Sequence, residues 1–397
     1  MGVQTLERRT DQTAHAAAAE RLDRASVGRI VLVFQGGGAL GAYQAGVYQA
    51  LHEAGIEPDW VVGTSIGAIN AALIAGNAPE SRLPRLREFW RRMKHSSLMQ
   101  LAGATPFGML AANAMTITSG VKGFFEPNPW AFLGTQTPLG PESAGYYSTA
   151  PLEQTLSELT DPDVLEAGEM RLTVGAAAVQ TGEMRYFDSK DGPLSVRHVM
   201  ASGALPPAFP AVRIDGELYW DGGILSNTPV EAVFDDEPRQ NALIFAVHVW
   251  SPSGPEPDSI ARVMSRQKDL QYASRAASHI ARQKQIHNLR HIITQLVERF
   301  PEAGRDNPEL LALAAHGCVS RMHVVRLLAP ALTGDDHSKD IDFSPEGIRT
   351  RWDTGYADTA RMLANRPWTQ DIDVTEGFIL HEAVAGRLID RHQRQGD

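Results

Sequence analysis

Two stretches decide the fold: RIVLVFQGGGALG at residues 29–41 and WVVGTSIGAINAALIA at residues 60–75. In the first, Ile30-Val31-Leu32-Val33-Phe34 is an unbroken β-branched and aromatic run, the pattern of a strand buried on both faces. It breaks into Gln35-Gly36-Gly37-Gly38, after which residues 39–54 read as a helix ended by Gly55. The second stretch repeats the unit on a smaller scale, with Trp60-Val61-Val62 as strand, Gly63-Thr64-Ser65-Ile66-Gly67 as turn and residues 68–75 as helix. Strand, glycine turn and helix, repeated, predict an α/β fold with a parallel sheet. Further strands are expected at 170–179, 184–187 and 243–250, giving one α/β domain over residues 29–250.

Outward from this core the chain changes character. Residues 1–28 carry charges scattered around a short alanine run and are expected to form a flexible N-terminal segment, with no secretory pattern. Residues 96–148 are an apolar insert of poor periodicity, and Leu98, Met99, Leu101, Phe107, Met109, Leu110, Phe124, Phe125, Trp130 and Phe132 suit either a lid or the wall of an apolar groove, or ordinary core packing. Ser251-Pro252-Ser253-Gly254-Pro255-Glu256-Pro257 reads as a linker into a mainly helical C-terminal accessory region, residues 251–397. That region opens with a helical pattern over 258–300 bearing Arg262, Arg266, Lys268, Arg275, Arg282, Lys284, Arg290 and Arg299.

Composition bounds the function classes. Of 397 residues, 43% are hydrophobic and 21% charged, the balance of a folded globular chain. The net charge of −10 argues against a nucleic-acid partner, although the basic helix is a local positive patch that could lie on an anionic lipid surface or, as is commoner, pack its apolar side on the body and solvate its basic side. With Cys318 as its one cysteine, the chain forms no internal disulfide, and with no long apolar run it offers no membrane span; the expectation is a cytoplasmic protein.

The chemistry sits in the glycine turns. Ser65 occupies a G-x-S-x-G turn between a short strand and an alanine-rich helix, the context that exposes a serine oxygen on a sharp bend at a helix N-terminus. Gly36, Gly38 and Gly41 formally match a dinucleotide-binding fingerprint, but the acidic residue that should close the second strand is missing there, where Gly63-Thr64-Ser65 stands instead. Backbone amides of this loop can instead hold an oxyanion beside Ser65. The base is harder to find. His52, His95, His198, His248, His279, His287 and His291 all lie in contexts unlike a loop-borne catalytic histidine. Asp221-Gly222-Gly223, which alone reads first as an ordinary turn, could point a carboxylate at the serine. The acidic run Asp335, Asp336, Asp340 and Asp342 lacks the spacing of a calcium loop and is expected to be solvated.

Taken together, Gly36 to Gly41, Gly63 to Gly67 and Asp221 to Gly223 resemble the patatin-like phospholipase family in order, spacing and content, as does the segment from Ala201 to Pro210. The resemblance covers roughly residues 29–250. It implies a three-layer α/β/α sandwich with a mostly parallel central sheet, Ser65 as nucleophile, Asp221 as its partner in a Ser–Asp dyad, and an oxyanion hole from the amides of Gly36, Gly37 and Gly38. Gly41, Gly63, Gly67, Gly222 and Gly223 would support those loops, and no metal or cofactor is implied. Leu40 stands where many relatives carry Arg or Lys, and Gly223 where Ala is frequent; Asp342-Phe343-Ser344 and residues 351–359 resemble an accessory region of a bacterial subset. The implied activity is a serine lipid acyl hydrolase of phospholipase A or carboxylester type working through an acyl-Ser65, on a lipid or fatty-acyl ester. A carboxylate at its usual pKa is a poor base at neutral pH, so partial burial of Asp221 is expected to raise its basicity. Another ester or thioester hydrolase, an acyltransferase on the same dyad, and a non-catalytic lipid-surface binding protein stay open.

Overall fold

The computed structural model describes residues 24–94, 116–301, 307–332, 335–369, 376–384 and 387–389. Most of the N-terminal segment, His95, and Leu98, Met99, Leu101, Phe107, Met109 and Leu110 of the apolar insert therefore lie outside the described residues. The strands are β1 (Arg29–Phe34), β2 (Trp60–Thr64), β3 (Glu126–Pro127), β4 (Tyr147–Ser148), β5 (Arg171–Ala178) and β6 (Met184–Asp188). They continue with β7 (Val212–Ile214), β8 (Glu217–Asp221), β9 (Ala242–His248), β10 (Met322–Leu328), β11 (Phe378–Val384) and β12 (Arg387–Ile389). The main helices are α1 (Ala42–Glu53), α2 (Ile66–Ala75), α3 (Pro79–Arg92), α4 (Ala150–Leu159), α5 (Val196–Ser202), α6 (Ile260–Glu298) and α7 (Pro345–Asn365).

One sheet runs in the order β12-β11-β10-β9-β1-β2-β5-β8-β7, with β6 also paired to β5. Alternation along β1 explains why helices lie on both sides. Ile30, Leu32 and Phe34 enter one core with residues of α1, α2 and α3, while Val31 and Val33 enter a second core with Ile280 of α6. The five pairings from β11 through β10, β9, β1 and β2 to β5 are parallel. Those of β5 with β6 and β8, of β7 with β8 and of β11 with β12 are antiparallel. The expected α/β architecture is present, but the sheet is mixed rather than mostly parallel: tight turns at its margins, such as the one joining β7 to β8, reverse the chain where the centre uses helical crossovers.

The region beyond residue 251 is not helical alone. It supplies β10, β11 and β12 to the same sheet, β10 pairing with β9 from Met322↔Ala242 to Leu328↔His248. It also returns α7 onto α1 at a crossing made of glycines. A Cβ at Gly46 would lie 1.9 Å from the carbonyl oxygen of Trp352, and one at Gly355 would lie 2.1 Å from that of Tyr43. Polar bonds line the crossing, from Tyr43 Oη to Asp358 (2.8 Å) and from Trp352 Nε1 to Gln49 (2.6 Å). Long α6 is largely solvated, with Ile260, Val263 and Leu296 exposed, yet several of its cations are engaged: Arg266 donates to the carbonyls of Ser251 and Pro252, and Arg262 pairs with Asp258.

Backbone contact at the α1–α7 crossing leaves no room for a side chain. Gly46→Val should lower stability by about 1–3 kcal/mol, the usual cost of overpacking. A denaturant midpoint unchanged from wild type would contradict the crossing as described.

Candidate active site

Parallel pairing of β1 with β2 places Phe34 opposite Gly63, so the two glycine turns leave the sheet side by side at the same edge. Ser65 follows β2 directly and caps α2 with φ 56° and ψ −127°, a left-handed backbone that a β-carbon normally avoids. The bend is held from both sides. The Ser65 amide donates to Ser202 Oγ at 3.0 Å, and the Ser202 hydroxyl donates to the Gly175 carbonyl at 2.6 Å, tying the turn to β5 through α5. Gly63 and Gly67 face each other so closely that a Cβ on Gly63 would lie 2.3 Å from Gly67.

The other loop, Gln35 to Gly38, is pinned by a buried network. Gln35 Oε1 accepts from the amides of Val249 (2.7 Å) and Trp250 (3.0 Å), and its Nε2 donates to Thr228 Oγ1 (2.7 Å) and the Tyr272 carbonyl (3.1 Å). The Gly36 carbonyl accepts from Trp250 Nε1 (2.7 Å) and Asn227 Nδ2 (3.0 Å). The Gly36 amide is also committed, donating to the Asn227 carbonyl at 3.0 Å. Of the three amides expected to face an oxyanion, Gly36 is therefore occupied, whereas those of Gly37 and Gly38 have no acceptor among the described residues. Gly38, at φ 54°, begins a single 3-10 turn, Gly38–Gly41, that leads into α1. Leu40 is buried there, beside Lys339 and Arg351 of the C-terminal region.

Asp221 ends β8, two strands from β2, and is 2% exposed. Gly223 donates its amide to Asp221 Oδ1 at 2.7 Å, and the neighbouring Ser65 side chain also favours the ionised carboxylate. Burial outweighs both bonds and pushes the Asp221 pKa up to about 6 from an ordinary 3.8. The structure thus brings Ser65, Asp221, Gly36, Gly37, Gly38 and Gly223 to one cavity of about 270 Å³. Gly41, Gly63, Gly67 and Gly222 stand behind it as packing positions.

No histidine lines that cavity among the described residues. His248 is buried at the end of β9, its pKa pushed down to about 3 by burial and by Arg326. His198 closes the first turn of α5, while His287 and His291 both contact the Ser320 carbonyl. Nor do the described residues contain a cluster of three or more potential metal ligands; Asp335 and Asp342 instead hold the buried Arg351 at 3.0 and 2.8 Å.

The remaining wall is apolar and aromatic. Phe124 and Phe125 of the insert meet Phe209 at centroid distances of 6.0 and 5.4 Å, and Phe125 meets Tyr147 at 4.9 Å. Phe343 closes on Phe124 at 5.9 Å. Sequence reading missed the contribution of Tyr272, Asp340, Ile341 and Phe343, all from the C-terminal region. A crossed pair of salt bridges holds their elements together: Lys268 of α6 to Asp340 at 2.7 Å, and Lys339 to Asp269 of α6 at 2.6 Å. Alternation of Lys-Asp at 268–269 with Lys-Asp at 339–340 was the available signal. It also missed Gln35, Ser202, Asn227 and Trp250, although a glutamine between an apolar strand and three glycines was itself unusual.

A serine on a strand–turn–helix bend, facing a buried carboxylate and free backbone amides, defines an α/β protein with the makings of an acyl-transfer site. The chain belongs to the patatin-like phospholipase family: the family model for patatin-like phospholipases matches residues 32–234, and a second, described as patatin phospholipase, matches residues 270–375. Lysophospholipase nte1 of Aspergillus terreus is 53% identical over 68 residues, 17% of this chain and 4% of its own length. An uncharacterized NTE family protein of Mycobacterium tuberculosis is 28% identical over 244 residues, 60% of this chain and 33% of its own. The chain thus spans a third or less of these two relatives. Among solved structures, VipD from Legionella pneumophila superposes with a TM-score of 0.37 at 17% identity, covering 85% of this chain and 67% of that one.

The raised Asp221 pKa has two measurable consequences. If Asp221 must be ionised to accept a proton, kcat/KM for an ester should fall about tenfold per pH unit below pH 6. Because the folded carboxyl holds its proton more tightly than the unfolded one, its contribution to stability is full below about pH 4 and is lost as pH rises through about 6. Asp221→Asn should abolish that slope, so that the wild-type and variant stability curves diverge between pH 4 and 6. Parallel curves would contradict the assignment.

Proposed function

We propose that this protein is a serine lipid acyl hydrolase that uses Ser65 and Asp221 as a catalytic dyad. The observation that carries the reading is a juxtaposition: Ser65 on its strained bend shares one apolar cavity with the buried Asp221 carboxyl and the unoccupied amides of Gly37 and Gly38. In this mechanism Asp221 accepts the Ser65 proton as Oγ bonds to the ester carbonyl carbon. The carbonyl oxygen becomes an oxyanion held by the Gly37 and Gly38 amides, with donors of this kind worth about 2.7–4 kcal/mol each. Collapse breaks the carbon–oxygen bond to the alcohol, which takes the proton back from Asp221. Water, deprotonated by Asp221, then attacks the acyl-Ser65, releasing the fatty acid and returning the proton to Ser65.

The aromatic wall of Phe124, Phe125, Phe209 and Phe343 fits an acyl chain, as hydrocarbon leaves water for an apolar surface at roughly 25 cal/mol per Å². The name of the fungal relative supports phospholipid or lysophospholipid esters as the substrate class. The reading includes a patatin-like three-layer arrangement whose catalytic portion spans 29–250, and cytoplasmic residence with peripheral contact at a lipid surface. Trp130 and Phe132, 63% and 85% exposed on one short turn of the insert, support that contact. Among the described residues no helix is long and apolar enough to cross a membrane.

A fluorophosphonate probe separates an activated serine from an inert one. Wild-type protein should label stoichiometrically and release fatty acid from mixed lipid vesicles. Ser65→Ala should lose labelling and at least ~10³-fold of the hydrolytic rate. Wild-type protein that neither labels nor releases fatty acid would leave lipid binding, without catalysis, as the better account.

A further inference from the structure

Beyond Asp221 the chain carries one more polar side chain to the apolar cavity. Asn227 lines it together with Ser65, Asp221, Gly36 and Gly223, and is 8% exposed. Chemistry fixes which way its carboxamide faces. Nδ2 donates to the Gly36 carbonyl at 3.0 Å, and a carbonyl only accepts, so turning the amide round would set two oxygens against each other. The backbone doubles the tie, because the Gly36 amide donates to the Asn227 carbonyl at 3.0 Å. Oδ1 is left over, and it accepts from no donor among the described residues. An acceptor held this deep is costly to leave unpaired, so its place beside the dyad asks for a donor.

Two glycines show where that oxygen lies. The point at which a Cβ on Gly36 would stand is 2.4 Å from Asn227 Oδ1 and 3.0 Å from Ser65 Cβ. The corresponding point on Gly223 is 2.8 Å from the same oxygen and 3.0 Å from Asp221 Oδ1. Asn227 Oδ1 is thus set close to both the serine and the carboxylate, with glycines where side chains would crowd it. The two acceptor oxygens lie less than about 6 Å apart, near enough for one water to bond both at ~2.5–3.0 Å per bond.

Water and an alcohol differ in what such a pair of acceptors can hold. Each gives one hydrogen to the base, but water keeps a second O–H where an alcohol carries carbon. We infer that Asn227 Oδ1 accepts the second hydrogen of the water that deacylates Ser65, and that it thereby favours hydrolysis over acyl transfer to an alcohol. The inference rests on the acyl-hydrolase reading and names the residue that selects its second substrate. In this step the water oxygen bonds to the acyl carbon, one hydrogen passes to Asp221, and the carbonyl electron pair moves onto the oxyanion at Gly37 and Gly38. The other hydrogen stays on the attacking oxygen, held by Asn227. Collapse breaks the bond from the acyl carbon to Ser65 Oγ, which takes the proton back from Asp221, and the fatty acid leaves with the retained hydrogen.

The test lets water and methanol compete for one acyl-enzyme. Full-length wild-type protein and Asn227→Ala are given nitrophenyl octanoate in buffer containing methanol, and the octanoate and methyl octanoate formed are quantified. Both nucleophiles meet the same acyl-Ser65 and the same amides, so slower acylation after loss of the Gly36 bond leaves the product ratio unmoved. The ratio of methyl octanoate to octanoate should rise about fivefold in Asn227→Ala, the effect of one net hydrogen bond. A ratio within about twofold of wild type overturns the role of Asn227. Should Asn227→Ala fail to fold, a crystal structure of the wild-type protein decides. One water bonded to both Asn227 Oδ1 and Asp221 supports the role, and a water bonded to Asp221 alone, or none there, overturns it. The acyl-hydrolase reading is judged separately by the wild-type products: turnover with an unmoved ratio sinks the Asn227 assignment alone, and no turnover to either product sinks the hydrolase reading itself.

Discussion

The site depends on one buried carboxamide. Gln35 sits where β1 stops and the glycine loop begins, and every hydrogen-bonding group on its side chain is used. One amide joins the end of β9, the segment after Asp221, the first half of α6 and, through the Gly36 neighbour, the ring of Trp250. Its own carbonyl accepts from Gln44 of α1, and Gln44 in turn accepts from Asn70 of α2. In a low-dielectric interior each such bond is strong and each orphaned partner costly, so the loop that carries Gly37 and Gly38 has little freedom to move. An oxyanion site needs that rigidity, because donors that must reorganise during reaction contribute less.

A second constraint follows from burial of Asp221. Removing a carboxylate from water raises its pKa, and the Gly223 amide and the Ser65 side chain only partly offset the shift. The result is a group that is ionised at neutral pH yet more basic than an ordinary carboxylate, as the proposed dyad requires, with no histidine at the cavity among the described residues. The destabilisation is tolerated because the surrounding sheet is deeply buried and fixed on both faces.

Much of the fold and the core of the site were legible before any coordinates. The apolar run of β1, the glycine turns and the D-G-G turn all act locally: each residue type is needed for its own backbone conformation or chemistry, so the signal survives in one dimension. What stayed hidden is non-local. The Gly36 amide looks free in sequence and is taken by Asn227, 191 positions away. Strand β10, Met-His-Val-Val-Arg-Leu-Leu, is a short run beyond a proline-rich linker, and only its pairing with β9 reveals that the C-terminal region completes the sheet. The net charge of −10 was equally misleading about α6, whose Lys268, Arg262 and Arg266 are engaged with Asp340, Asp258 and the carbonyls of Ser251 and Pro252. The C-terminal region therefore serves the site physically, through Tyr272, Ile341 and Phe343, rather than standing beside it.

The central claim is that Ser65 carries an acyl group during turnover. It is tested most directly by acid-quenching the wild-type protein while it hydrolyses a slow ester and measuring the intact and peptide masses. The account predicts an added acyl mass confined to the peptide that contains Ser65. Turnover with no acyl adduct, or with the adduct on another residue, would contradict it.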